Sequence, residues 1–353
     1  MIVVIADDLS GAAELAGIAL RRGLSAEVQT VFFPATDAEV VCLDTNTRLL
    51  DDADAARRVA AVSRQVAELR PAWIFKKCDS VLRGSVLAEA RAVAQAVGWH
   101  RLLILSANPS RDRIIRNGHC YIEGKPLHES LFADDPTHPR TTSDIRALLG
   151  SDLTGVSMPN AESMADVQRE AESLAADTLP VGGADFFAAL LQLRSPRHTP
   201  RAASLPQDGP TLMICGSTAT WSQRQAEAQG ADVPVFGAPY NLGTILRSFQ
   251  SRGRILLGTA AIAAESAGAP QDLTTELARV VAAVIQQSRP PKIMIEGGAT
   301  AAAILQALGW TRLTALHAVD DVAILHRAGT SGRAVFIKPG SYAWPRSLWP
   351  PAS

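Results

Sequence analysis

The stretch "AWIFKKCDSVLRGSVLAEARAVAQAVG" (72–98) joins an apolar run to a helical pattern through a polar break. Trp73, Ile74 and Phe75 are β-prone, and "GSVLAEARAVAQAVG" has helical spacing. Between them lie Lys76, Lys77, Asp79, Ser80, Arg83 and Gly84. Charges of both signs at a strand-to-helix handover point to a site rather than to ordinary surface.

The same unit recurs on either side. "IVVIAD" (2–7) is an unbroken apolar run followed by "SGAAELAGIALRRG", and "AEVQTVF" and "EVVCLDT" read as further strands. "DDADAARRVAAVSRQVAELR" is an amphipathic helix with acidic residues at its start, as the helix dipole favours. "RLLILSA" is one more strand. Unbroken apolar strands alternating with helices predict a parallel sheet covered on both faces. Residues 108–140, rich in Asn, Pro, Arg and His, read as a long functional loop or hairpin. Helices are expected at 141–149, at 162–176 and in "VGGADFFAALLQL" (181–193).

Four prolines and no apolar period mark 193–210 as a linker. It separates an N-terminal domain, 1–192, from a C-terminal domain, 211–353. A second α/β series follows in "TLMICGS", "RILLGTA", "KIMIEGG", "LTALHAV" and "AVFIKPG". The fold expected is α/β, with two domains, each a mainly parallel sheet flanked by helices, and an active site in the cleft between them.

The 353 residues are long enough for two cores. With 47% hydrophobic and 20% charged residues and a net charge of −1, neither nucleic acid nor an anionic membrane is an expected partner. "MIVVIADDLSG" has no basic leader, and its apolar run stops at Asp7, so no secretory signal is expected. Four scattered cysteines without a CxxC fit a reduced, cytoplasmic compartment. Five lysines stand against 29 arginines, so a position kept as lysine, such as Lys77 or Lys338, marks a need for a compact ammonium.

Ligands of open α/β sheets bind beyond the carboxyl ends of the strands. Asp7, Asp8, Asp44, Arg48, Lys77, Asp79, Ser80 and Arg83 all fall at such ends. Carboxylates beside cations suit a polyhydroxylated anion, with the cations on its carboxylate and Asp or Ser on its hydroxyls. In the second half, "EGGATAAAILQALG" (296–309), "CGSTATWSQRQ" (215–225) and "FIKPGSYAWP" (336–345) put Gly, Ser and Thr at strand ends, where backbone N–H groups can meet a phosphate. No GxxxxGK[ST] occurs, and no GxGxxG follows a strand. "ADDLSG" lacks the second aspartate of a haloacid-dehalogenase DxD, and His119, Cys120 and His128 lack a close-spaced ligand pair for a metal.

Together, "IADDLSGAAELAGIALRRGL", "KKCDSVLRGSVLAEA", "NPSRDRIIRNGHCYIEGKPL" and "EGGATAAAILQALG" make the chain similar to the four-carbon acid sugar kinase family over nearly its whole length. The resemblance implies phosphorylation of threonate, erythronate, 3-oxotetronate or a related acid by ATP with Mg²⁺. It assigns Asp8, Arg48, Lys77, Asp79, Ser80 and Arg83 to the acid. To ATP it assigns Ser217, Gly297, Gly298, Ala299, Thr300 and Gly340, with Lys338 kept beside them. Ala299 replaces the aspartate of the family's usual GG-D-TA, and Lys338-Pro339-Gly340-Ser341-Tyr342-Ala343 replaces its K-S-G-G-F-G. Asp7, Asp8 or Asp79 would orient or deprotonate the attacking hydroxyl. Two other readings stay open, a non-catalytic sugar-acid or nucleotide sensor and a metal-dependent sugar-phosphate hydrolase or isomerase built on Asp7–Asp8. A homo-oligomer also stays open.

Overall fold

The computed structural model describes residues 1–135, 137–195, 209–259, 270–320, 322–329, 333–340 and 342–349. The chain divides into two units, Met1–Pro200 and Arg201–Ser353. Most of the predicted linker, 196–208, lies outside the described residues.

The first unit contains β1 (Ile2–Ala6), α1 (Leu9–Arg21), β2 (Ala26–Gln29), β3 (Val40–Asp44), α2 (Asp52–Glu68), β4 (Trp73–Lys77), α3 (Val86–Val97) and β5 (Arg101–Leu105). A small antiparallel sheet follows, of β6 (Arg113–Arg116), β7 (His119–Ile122) and β8 (Lys125–Pro126). Then come α4 (Ile145–Leu149), β9 (Val156–Ser157), α5 (Met164–Ser173), β10 (Thr178–Gly182) and α6 (Ala184–Arg194). The main strands run in the order β2-β3-β1-β4-β10-β5-β9, every pairing parallel. β1, β3 and β4 are buried at every position, as strands covered on both faces must be.

Period-two alternation in β4 explains the opening stretch. Trp73 and Phe75 meet Phe186 and Phe187 of α6, with ring centroids 5.2–5.9 Å apart. Lys77 shares their face and lies 3.7 Å from Glu14 of α1. Lys76 points the other way, to Glu89 of α3 at 2.8 Å. Two adjacent lysines thus leave the sheet on opposite sides, and each finds a helix carboxylate.

Local signals set the helix boundaries. Asp51 caps α2 by accepting from the Asp54 N–H, and Asp52 and Asp54 stand in its first turn. Gly98 ends α3 in the left-handed region, at φ 75°. Ser163 and Asp166 form a capping box on α5.

The second unit contains β11 (Thr211–Cys215), α7 (Thr218–Gly230), β12 (Val235–Phe236), α8 (Leu242–Arg252), β13 (Arg254–Gly258), α9 (Pro270–Ser288), β14 (Lys292–Glu296) and α10 (Gly298–Leu308). β15 (Arg312–Val319), β16 (Val322–Arg327) and β17 (Ala334–Lys338) complete it. The order is β12-β13-β11-β14-β17-β16-β15, parallel as far as β17 and antiparallel beyond.

The structure extends the expected elements in four strands and shortens them in two places. β10, read from sequence as the start of a helix, forms despite Pro180 and two following glycines because it pairs with both β4 and β5. β9, β12 and β16 are not expected from the sequence either. "AEVQTVF" yields only four strand residues, as far as its pairing with β3 runs, and 141–149 only five helical ones, because Asp144 caps the helix at Ile145. No helix among the described residues is long and apolar enough to cross a membrane.

Candidate functional site

β1 and β4 are neighbours, yet α1 carries the chain from β1 toward β2 on one side while α3 carries it from β4 toward β5 on the other. Connections that diverge in this way open a crevice at the carboxyl ends of the two strands. The candidate residues of the first unit gather there.

Arg48, in the turn after β3, is the hub. Its guanidinium binds both oxygens of Asp7, at 2.6 and 3.0 Å, and Asp8 at 2.9 Å. It also lies 3.7 Å from Asp79. Arg83 grips Asp79 with two N–H groups, at 3.0 and 2.8 Å, and reaches Asp135 at 3.0 Å. The result is a continuous chain of alternating charge: Asp7 and Asp8, Arg48, Asp79, Arg83, Asp135.

These bonds set the proton affinities. Burial alone would raise the Asp7 carboxyl, but Arg48, Lys76 and Lys77 outweigh it and hold the group below its ordinary range. Against the same burial, Arg83 and Arg48 drive Asp79 well below. Arg48 itself, although desolvated, is held well above the usual guanidinium value by Asp7, Asp8 and Asp79.

Asp8 also caps α1, accepting from the Gly11 N–H at 2.9 Å and from the Ser10 hydroxyl. A Cβ on Gly11 would stand 2.8 Å from Asp8 Oδ1 and 3.5 Å from Lys77 Nζ. Glycine is therefore what lets the carboxylate and the ammonium close on the helix start. The Lys77 ammonium donates to the Cys78 carbonyl at 2.8 Å. Burial pushes the Cys78 thiol up to about 12, so it is inert at neutral pH. Ser80 is bound by Arg113 of β6.

Sequence reasoning named Asp7, Asp8, Asp44, Arg48, Lys77, Asp79, Ser80 and Arg83, and the structure brings them to one rim. It missed Arg113, Asp135 and Arg140. Arg140 donates to the carbonyls of Leu82 (3.1 Å) and His138 (2.9 Å). Phe132 lies under Arg83 and Arg113, 5.3 and 5.5 Å from ring centroid to guanidinium carbon. The irregular composition of 108–140 was the available signal, but it does not say which arginine turns inward.

In the second unit, the ends of β11, β14 and β17 lie side by side. Ser217 caps α7 by accepting from the Thr220 N–H at 3.3 Å. Gly297, at φ +104°, precedes α10 and donates its N–H to the Lys338 carbonyl at 3.0 Å. Gly216 must be glycine because a Cβ would collide with Thr300 Oγ1 at 1.7 Å. Gly340 differs. Among the described residues, a Cβ there would meet nothing closer than Gly297 Cα at 3.9 Å, so these neighbours leave room for a side chain. Gly298 and Thr300 are buried at the start of α10, and Ala299 is exposed.

Lys338 lies lower, fully buried. Its ammonium is 3.2 Å from Glu296 and donates to the carbonyls of Pro339 (2.8 Å) and Tyr342. Glu296 also accepts from Arg224 (2.9 Å), Thr220 (2.8 Å) and Trp344 (2.8 Å). Burial lowers the Lys338 pKa more than Glu296 raises it. With Glu296 so engaged and Ala299 in place of an aspartate, these strand ends offer, among the described residues, no uncommitted carboxylate to a divalent cation. Among the described residues, no group of three or more His, Cys, Asp or Glu could hold a metal ion. Two cavities of about 420 and 440 Å³ open elsewhere on this unit, around Trp310, Arg312, Arg327 and Arg333, and none of the strand-end residues lines them.

Residues 2–186 match the family model of a sugar-binding N-terminal domain. A D-threonate kinase of Bordetella bronchiseptica is 30% identical over 283 residues, 65% of this chain and 69% of that protein. A 3-oxo-tetronate kinase of Burkholderia multivorans is 26% identical over 369 residues, covering 86% and 85% of the two chains. The crystal structure of a Haemophilus influenzae protein of the DUF1537 family superposes with a TM-score of 0.71, at 17% identity, over 97% of both chains, which is a likeness of fold. The chain belongs to the four-carbon acid sugar kinase family.

Proposed function

We propose that this protein transfers the terminal phosphoryl group of ATP to a hydroxyl of a four-carbon sugar acid such as threonate, erythronate or 3-oxotetronate. The observation that carries the reading is the alternating-charge chain centred on Arg48, set at a switch point of a parallel sheet. A short sugar acid presents one carboxylate and several hydroxyls, and the rim offers complementary partners for both. Arg48 and Arg83 are the cations for the carboxylate. Arg140 joins them, since among the described residues it donates to carbonyls and pairs with no carboxylate. Asp7, Asp8 and Asp79 accept from hydroxyls, while Lys77 and Ser80 donate to them.

The nucleotide is assigned to the second unit. Ser217 and the turn Gly297–Thr300 present N–H groups and hydroxyls at helix starts, which suit phosphate oxygens. Gly340 supports this reading most strongly, because the described residues around it leave room for a side chain that the sequence omits. Lys338 serves the nucleotide through the Pro339–Gly340 turn that it ties to Glu296. Mg²⁺, carried in with the nucleotide phosphates, would neutralise their charge, and no step here depends on it.

The test is release of ADP by the purified protein with each four-carbon acid in turn. The expected result is ADP and phosphorylated acid in equal amounts. Tight binding of acid or ATP without ADP would favour the sensor reading, which the Ala299 substitution makes the strongest rival. ATP-independent turnover of a phosphorylated sugar would favour the hydrolase or isomerase. That reading needs Asp7 and Asp8 as metal ligands, and Arg48 already binds both.

A further inference from the structure

The three carboxylates that motif reading nominates as proton acceptors are all engaged by cations. Asp7 has both oxygens on Arg48. Asp8 is shared between Arg48 and the start of α1. Asp79 is gripped by Arg83 through both oxygens and also accepts the backbone N–H groups of Val81 and Arg83 at 3.2 Å. A carboxylate in such bonds orients a hydroxyl well but is a poor base, because its anionic form is already stabilised.

Asp44 stands apart. It is the last residue of β3, in register with Ala6, the residue before Asp7. Only 3% of its surface is exposed. One oxygen, Oδ1, accepts the Asn46 N–H at 2.7 Å, which closes a turn. Among the described residues it forms no ion pair. The charged groups around it are Asp8 and Asp7 from the turn after β1, with Arg48 from the turn after β3. β2, on its other side, ends in the neutral Gln29. α1, packed over β3, contributes Glu14, whose partner is Lys77.

We propose that Asp44 is the proton acceptor of the transfer step, taking the proton of the acid's attacking hydroxyl on its free oxygen, Oδ2. The proposal rests on the kinase reading above. As the hydroxyl oxygen bonds to the γ-phosphorus, the bond from that phosphorus to the β–γ bridging oxygen breaks and its electron pair leaves with ADP. The hydroxyl proton passes to Asp44, which later returns it to solvent. Burial, with Asp8 and Asp7 adding repulsion against the opposing Asn46 N–H and Arg48, lifts the Asp44 carboxyl to about 7. That value suits a base working near neutrality.

The test is the pH dependence of ATP-driven turnover in the wild type and in Asp44→Asn. Asparagine keeps an acceptor for the Asn46 N–H, so the turn survives. A wild-type profile with an acidic limb near pH 7 is expected. In the variant, kcat should fall about 10²- to 10⁴-fold, with KM for the acid little changed and the limb gone. Retention of wild-type kcat and of the limb in folded Asp44→Asn overturns the assignment. If that variant fails to fold, the wild type still decides, because a profile without an ionisation between pH 6 and 8 overturns it equally. Absence of ADP release from the wild type with every acid overturns the kinase reading itself, an outcome that the variant's behaviour cannot imitate.

Discussion

The strand ends of the two units occupy the same topological position and use opposite chemistry. In the first unit charged side chains come up to the rim, where Arg48 and Arg83 are partly exposed and thread together carboxylates from three separate turns. In the second, the charge sinks into the core as Glu296, Lys338 and Arg224, and the rim is left to glycines, hydroxyls and backbone N–H groups. A ligand with hydroxyls and a carboxylate is read by side chains, which can match its pattern. Phosphates need only N–H groups and close approach. Under the proposed function one fold principle would serve two recognition modes, and the difference between them can be attacked from either side.

The largest effect is expected where charge is most deeply buried. Glu296→Ala would leave the buried Lys338 and Arg224 without their common carboxylate, and the second unit should lose about 3–5 kcal/mol of stability. Denaturant titration measures this, and a loss below 1 kcal/mol would mean that the two cations find other partners. On the first unit's rim, Arg48→Ala and Lys77→Ala should weaken acid binding by about 2–5 kcal/mol if the contact is desolvated. ATP affinity should hardly change. Equal losses for both ligands would erase the division of labour.

Proton linkage separates the carboxylates of that rim. Asp7 and Asp79 titrate below the unfolded value, so they stabilise the fold above about pH 4, and this contribution fades as pH falls through their folded pKa values. Asp44 acts in the reverse sense. Raised to about 7, it holds its proton more tightly in the folded state, so stability declines as pH rises from about 4 to 7. The decline should be on the order of a few kcal/mol, and Asp44→Asn should abolish it. A flat wild-type stability over that range would contradict the buried, unpaired state of this carboxylate.

The smallest effect belongs to Gly11→Ala. Its Cβ would press on Asp8 and Lys77, side chains that can shift by a few tenths of an ångström. A stability loss of about 1 kcal/mol with a measurable drop in acid affinity is expected. An unchanged acid affinity would show that the Asp8–Lys77 approach is structural only.

Much of this was legible in the sequence, for identifiable reasons. Strands buried on both faces carry unbroken apolar runs, so β1, β3 and β4 declared themselves, and with them the rim that follows each. β10 did not, because Pro180 and its glycines contradict strand propensity and only two neighbouring strands override it. β16 escaped although Val322–Leu325 is an apolar run, because it starts only three positions after the end of β15 and does not stand apart from it in the sequence. At Lys338, rarity among arginines pointed to a phosphate contact, whereas the structure buries the ammonium against Glu296, which lies 42 positions away on another strand. Sequence alone could see the compact ammonium and not the carboxylate that holds it. Asp44 was equally visible as a rim residue, whereas its distinction from Asp7, Asp8 and Asp79 depends on which carboxylates the arginines reach.

The central claim, that the first unit reads the acid by side chains and the second reads the nucleotide by backbone, is met most directly at Gly340. Its neighbours leave room for a Cβ, so Gly340→Ala alters the ligand's approach while sparing the fold. Isothermal titration of this variant with ATP and with a four-carbon acid is the decisive measurement. ATP binding weakened at least about tenfold, equivalent to roughly 1.4 kcal/mol, with acid binding as in the wild type, is the predicted result. Unchanged ATP affinity, or equal weakening of both ligands, would contradict the account.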